Sequence, residues 1–135
     1  MEREGSPKYY FCDNGLLSLF LFNRETTLLE NEVAVALLDC FGEGLHYIKS
    51  PKTGIDVDFY IPEAGLAVQV AYSIAGEARE REVRNLVKLA HADDASKRFI
   101  IVTKEDEENI EREGVHIEVV PAWKFLLNEC AREDI

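Results

Sequence analysis

Residues 55–61 read Ile-Asp-Val-Asp-Phe-Tyr-Ile, residues 66–72 read Leu-Ala-Val-Gln-Val-Ala-Tyr, and Pro-Glu-Ala-Gly separates them. Both runs alternate with period two. Ile55, Val57, Phe59 and Ile61 alternate with Asp56, Asp58 and Tyr60, and Leu66, Val68 and Val70 with Ala67, Gln69 and Ala71. Such alternation describes half-buried strands, and a short separator holding Pro and Gly turns one strand back against the next. This hairpin excludes an all-helical fold. Because strand side chains point alternately to the two faces, it also fixes an expectation for which residues meet. Asp56, Asp58 and Tyr60 should share one face, and Ala67, Gln69 and Ala71 another row on the neighbouring strand.

The flanking sequence extends the hairpin into a domain. Residues 46–49 form a further strand candidate, joined to the hairpin by the turn at 50–54, so three strands make an antiparallel meander. Upstream, residues 8–12 read as a short strand, 13–15 as a turn and 16–22 as a short buried helix. Thr27-Leu-Leu-Glu30 has capping-box spacing, and Leu29, Val33, Ala36, Leu37 and Cys40 follow at helical intervals. A helix is expected over about 26–41, ended by Gly42. Downstream, Ala78, Val83, Leu86, Val87 and Ala90 mark a helix over 77–91, and the apolar run 98–103 reads as a strand covered on both faces. A short acidic helix is expected from Thr103 to Gly114, then a strand over 115–120. Pro121 opens a last helix with Trp123, Leu126, Leu127 and Cys130 on one face. The expected fold is a single α/β domain over residues 1–135, a mixed sheet of an antiparallel three-strand meander plus a crossover strand, flanked by helices.

Composition narrows the function classes. Hydrophobic residues make up 47% and charged residues 30%, the balance of a globular chain rather than a disordered one. No apolar run approaches the roughly 18 residues of a membrane span, and neither a basic leader nor a small-residue cleavage site is present, so a cytoplasmic protein without membrane contact is expected. The formal net charge of −11 disfavours broad contact with a nucleic-acid backbone, which is driven by Lys and Arg. Cys12, Cys40 and Cys130 are odd in number and widely spaced, and read as small buried residues. His46, His91 and His116 show no zinc-ligand spacing.

Chemistry could reside in the hairpin. If the apolar rows of both strands pack one core, Asp58 and Gln69 point the same way from adjacent strands, and Glu30 on the first helix can reach that edge. A phosphodiesterase site needs two or three carboxylates to hold Mg²⁺ through oxygen ligands, and a nearby amine to stabilise charge at the phosphate. Here Gln69 is a neutral amide and Ala71 a methyl. Lys49, Arg79 or Arg81 could supply a migrated cation. Structural alternatives stand beside each reading. In these, Glu30 closes a capping box with Thr27, Asp56 is a solvated partner of Lys52, and the Arg and Glu residues of 77–84 form a salt-bridged surface.

Lys8-Tyr-Tyr-Phe-Cys-Asp-Asn-Gly-Leu16, Leu28-Leu-Glu-Asn-Glu-Val33, Tyr47-Ile-Lys-Ser50, Asp56-Val-Asp-Phe59 and Val68-Gln-Val-Ala-Tyr-Ser73 occur in that order. With them the chain resembles the C-terminal domain, of unknown function, of prokaryotic AAA-type ATP-binding proteins. That domain is similar to the PD-(D/E)xK restriction-endonuclease superfamily. The resemblance implies a restriction-endonuclease-like sheet and aligns Asp56, Asp58, Gln69 and Ala71 with a Glu-Val-Asp-Phe … Glu-Val-Lys pattern. Glu30 aligns with the helix Glu of Leu-Glu-Asn. Only Asp58 and Glu30 retain metal-ligating character, while Gln69 and Ala71 depart from the pattern.

The chain has no Gly-x-x-x-x-Gly-Lys-Ser/Thr phosphate loop. The resemblance therefore implies either the C-terminal module of a longer ATPase or a stand-alone relative. The expected function is a catalytically degenerate nuclease-like domain without cofactor, a recognition or docking module for an AAA-type ATPase in cis or in trans. A homo-oligomer is compatible with this, and DNA is a disfavoured partner. The alternatives are an active Mg²⁺-dependent nuclease using Glu30, Asp58 and a migrated cation such as Lys49, and a domain binding a small ligand or protein unrelated to nucleic acid.

Overall fold

The computed structural model describes residues 25–131. The expected strand at 8–12, turn at 13–15 and helix at 16–22 lie outside these residues, as do the side chains of Cys12 and Cys130. Three helices and six strands follow in the order α1 (Glu25–Phe41), β1 (His46–Ser50), β2 (Ile55–Ile61), β3 (Leu66–Val70), α2 (Gly76–Ala92), β4 (Arg98–Thr103), β5 (Glu108–Arg112), β6 (Val115–Pro121) and α3 (Ala122–Ala131). The strands form one mixed open sheet in the order β1-β2-β3-β4-β6-β5. β1, β2 and β3 are the expected antiparallel meander. β3 pairs parallel with β4, β4 parallel with β6, and β5 antiparallel with β6. Among the described residues no helix is long and apolar enough to cross a membrane.

Two cores cover the two faces. On one, Val83, Leu86, Val87 and Leu89 of α2 pack on Ile48, Val57, Tyr60, Ala67, Ile101 and Ile117. On the other, Leu29, Val33, Ala34 and Leu37 of α1 and Phe125 of α3 pack on Phe59, Ile61, Leu66, Val68, Ile100 and Val102. β4 has neighbours on both edges and helices on both faces, which accounts for its unbroken apolar sequence. The turn into β3 depends on Gly65 at φ +63°. Its carbonyl accepts the N–H groups of Lys97 (2.8 Å) and Arg98 (2.9 Å), and a Cβ there would lie 2.7 Å from the Ala95 carbonyl oxygen.

Four expectations are corrected. The acidic stretch after Thr103 is not a helix. Residues 108–112 are strand β5, turned into β6 by Glu113 (φ 52°) and Gly114 (φ 80°), the two consecutive left-handed residues of a tight hairpin loop. Pairing with β6 and burial of Ile110 outweigh the helix-friendly charge pattern. On α3, Ala122 and Phe125 are buried and Leu126 packs half-buried against the same core, whereas Trp123 and Leu127 are 61% and 64% exposed, so the expected face of Trp123, Leu126 and Leu127 is split. α1 is already helical at Glu25, so Thr27 and Glu30 lie within the helix rather than at its cap.

The fourth correction concerns β2. Tyr60 does not share a row with Asp56 and Asp58, nor do the four apolar residues of β2 share one core. His46 pairs with Tyr60 and Ile48 with Val57, so Asp58 and Phe59 together oppose the single residue Tyr47. This bulge shifts the strand by one residue. Ile55 and Val57 belong to the α2 face, and so does Tyr60, while Phe59 and Ile61 belong to the other core.

Candidate functional site

The bulge sits where β2 and β3 part. Their register covers Phe59–Val68, Tyr60–Ala67 and Ile61–Leu66, although β2 begins at Ile55 and β3 runs on to Val70. In the fork between them lies the Gln69 side chain, 1% exposed. Its Oε1 accepts the Asp58 N–H (2.8 Å), and its Nε2 donates to the Asp56 carbonyl (2.9 Å). The Asp58 carboxylate accepts the Val70 N–H (2.8 Å). Side chains thus replace the missing ladder, satisfying backbone groups that burial would otherwise leave unpaired. The amide suits this position because it offers both an acceptor and donors, a combination no carboxylate can supply when ionised.

The second Nε2 hydrogen points to Glu82 of α2, with the Oε1 at 3.4 Å. Glu82 is 9% exposed. Burial pushes its carboxyl above the ordinary value, the charges of Asp56 and Glu30 push it further, and Arg81, 3.9 Å away, partly opposes this. Glu82 was not singled out from the sequence, where it looks like one more charge on an amphipathic helix. One turn along that helix, Asn85 accepts the Asp56 N–H through Oδ1 (2.8 Å), so α2 reaches β2 directly at Asp56 and reaches Asp58 only by way of Gln69.

The expected residues are therefore partly assembled. Asp58 and Gln69 meet through the Asp58 N–H and the Gln69 amide oxygen, but not on the expected common row: Ile55 and Val57 pack the α2-face core, whereas Leu66, Val68 and Val70 pack the other. Glu30 is near enough to act electrostatically on Glu82. Ala71 is 5% exposed and lies in the α2-face core. Lys49 is exposed on β1, directly opposite Asp56 in the register. Arg79 is engaged elsewhere, gripping Glu108 of β5 with two hydrogen bonds of 2.8 and 2.9 Å. Arg112 of β5 in turn grips Glu80, so the charges of α2 do form a salt-bridged surface, across to the hairpin. Tyr60 is far from an acid row: its hydroxyl donates to Asp93 at the end of α2. Among the described residues no group of three or more His, Cys, Asp or Glu is arranged to hold a metal ion.

A second feature lies on the opposite face, at the same end of the sheet. A crevice of about 530 Å³ opens between the first turns of α1 and α3 and the segments that follow β3 and β4. Its walls include Leu28, Leu29, Leu126, Tyr72 and Trp123, and charged residues at its margin are Glu32, Lys104 and Glu105. The segments after β3 and β4 are tied together. Lys104 N–H donates to the Tyr72 carbonyl (3.1 Å), Ile74 N–H to the Asp106 carboxylate (2.9 Å), and Thr103 Oγ1 to the Asp106 carbonyl (2.9 Å).

Compared with protein-family models, with curated proteins and with solved structures, the chain finds no match in any of the three.

Proposed function

We propose that this chain is a nuclease-like domain without catalytic activity, acting as a recognition or docking module for a protein partner. The resemblance noted above makes that partner an AAA-type ATPase. The α/β sheet with its antiparallel meander and parallel β3–β4 step is compatible with a restriction-endonuclease-like scaffold.

One observation carries the reading: Gln69 is built into the fork as a structural joint. The nuclease frame would place a metal-binding carboxylate there. The amide oxygen is instead turned to the Asp58 N–H and the nitrogen to Asp56 and Glu82. One oxygen of Asp58 accepts the Val70 N–H. A divalent cation would need these oxygens to face it together, and Ala71 offers no amine. The residues present do not fit the metal that such a scaffold uses.

The observation that favours the alternative, an active Mg²⁺-dependent nuclease, is Glu82. It is a buried carboxylate beside Gln69 that feels the charge of Asp56 and Glu30, and a cation would relieve that repulsion. Calorimetric titration with Mg²⁺ and Mn²⁺, together with incubation on plasmid and branched DNA, separates the two. The docking reading expects no site tighter than millimolar and no cleavage. Cleavage that disappears in both Asp58→Ala and Glu82→Gln would overturn it.

A further inference from the structure

The crevice between α1 and α3 has the features of a contact surface rather than of a core left unfinished. Trp123 is 61% exposed and Tyr72 37% exposed, and both line it. Leu127, one helical turn beyond Trp123, is 64% exposed and carries the apolar surface out along α3. Large exposed aromatics grouped in a concavity are the residues that dominate protein interfaces. The walls are also preorganised, because hydrogen bonds to Asp106 and the Tyr72 carbonyl hold the segments after β3 and β4 in place, so binding need not order them first.

Charge decides between occupants. Among the described residues that line the crevice, the charged ones are Glu32, Glu105 and Lys104, two acids to one amine, on a chain whose formal net charge is −11. Nucleic acid would be repelled, and a second copy would bring the same acidic margin. We propose that the crevice docks a basic, amphipathic peptide segment of a partner protein. An apolar side chain of that segment would sit between Trp123 and Leu29, with a flanking Lys or Arg against Glu32 and Glu105, where the Trp123 ring adds a cation–π contact. This deepens the docking role proposed above and rests on it: the fork is the structural joint, and the crevice is the docking site.

The test uses the full chain on an array of short peptides, each with one Leu or Phe anchor and one Lys, Arg or Glu placed one to four residues away. Retention is expected to favour Lys and Arg over Glu by at least about fivefold. Glu32→Gln/Glu105→Gln should erase that preference while retaining the need for the anchor, and Trp123→Ala should lower retention by about tenfold or more. Trp123 is the only tryptophan of the chain, so its emission should shift when the best-retained peptide is added in solution. The proposal is overturned by no retention, by retention indifferent to charge, by an unaffected Trp123→Ala variant, by an unchanged emission, or by single-stranded DNA binding at Trp123. It is likewise overturned if sedimentation shows a dimer that Trp123→Ala dissolves. DNA cleavage would sink the docking reading itself, whereas failed peptide binding without cleavage would remove only the crevice.

Discussion

The fork between β2 and β3 and the crevice between α1 and α3 lie at the same end of one sheet, on opposite faces, and are built in opposite ways. The fork is polar and shut. Gln69 is 1% exposed, and its amide binds two backbone groups and a carboxylate. The crevice is open and mixes apolar with charged side chains, with a tryptophan 61% exposed and about 530 Å³ of space. Buried polar groups in a completed network make a scaffold rigid, whereas unfilled concave apolar surface has free energy to release when something covers it. The residues that most resemble chemistry thus hold the sheet together, and residues with no chemical pattern are the ones left exposed.

The largest effect should come from breaking the fork. Gln69→Leu keeps roughly the same volume but leaves the Asp58 N–H and the Asp56 carbonyl without their partner. At about 1–3 kcal/mol for each buried group left unsatisfied, the loss should be about 2–5 kcal/mol in urea denaturation. A loss below about 1 kcal/mol would mean that Gln69 is not the joint described. Asp58→Ala removes the acceptor of the Val70 N–H and should cost about 1–3 kcal/mol for that group. If Asp58→Ala proved the costlier of the two, the carboxylate rather than the amide would be the keystone of the fork.

Much of this arrangement was open to sequence reasoning, and the exceptions share a cause. The bounds of β2 and β4 follow directly from their apolar patterns, because a strand's own residues determine its burial. β5 escaped because Glu-Asn-Ile-Glu-Arg contains one apolar residue, and its pairing is supplied by β6. The bulge escaped for a subtler reason. With helices on both faces, apolar residues suit either side, so the alternation of residue types continued through Phe59 while the faces exchanged. Gln69 was legible as a departure from a carboxylate, but its work was not, since its backbone partners lie 11 and 13 residues away. Glu82 was hidden because the space it fills exists only after the strands part. The crevice is half visible: Trp123 and Leu127 share one helical face in the sequence, but their exposure follows only once Ala122 and Phe125 set the rotation of α3.

A smaller effect tests whether the fork is as dry as it looks. Glu82 has a carboxyl raised above its ordinary value, chiefly by burial. For a raised acid the folded state binds the proton more tightly than the unfolded state. Its stability contribution is therefore complete below the ordinary carboxylate pKa and is lost as pH rises through the folded-state value. Wild-type stability, measured by denaturation at a series of pH values, should fall as pH rises from the ordinary carboxylate pKa through the raised one, relative to Glu82→Gln, which can still accept from Gln69. Parallel curves would show that water reaches Glu82 and that the fork is less closed than the crevice contrast requires.

The smallest expected change in stability is also the one that divides the two regions most sharply. Trp123 is exposed, so Trp123→Ala gives up little buried apolar area and should change the unfolding free energy by no more than about 0.5 kcal/mol. The same substitution should lower peptide retention by about tenfold or more. Gln69→Leu should do the reverse at concentrations of denaturant where it remains folded, costing stability while leaving retention within about twofold, because none of the fork residues lines the crevice. If Trp123→Ala instead destabilised the chain by 2 kcal/mol or more, which is the range for burying a large side chain, the tryptophan would be part of the core. The crevice would then be a gap in the packing, and the distinction between a shut joint and an open docking face would collapse.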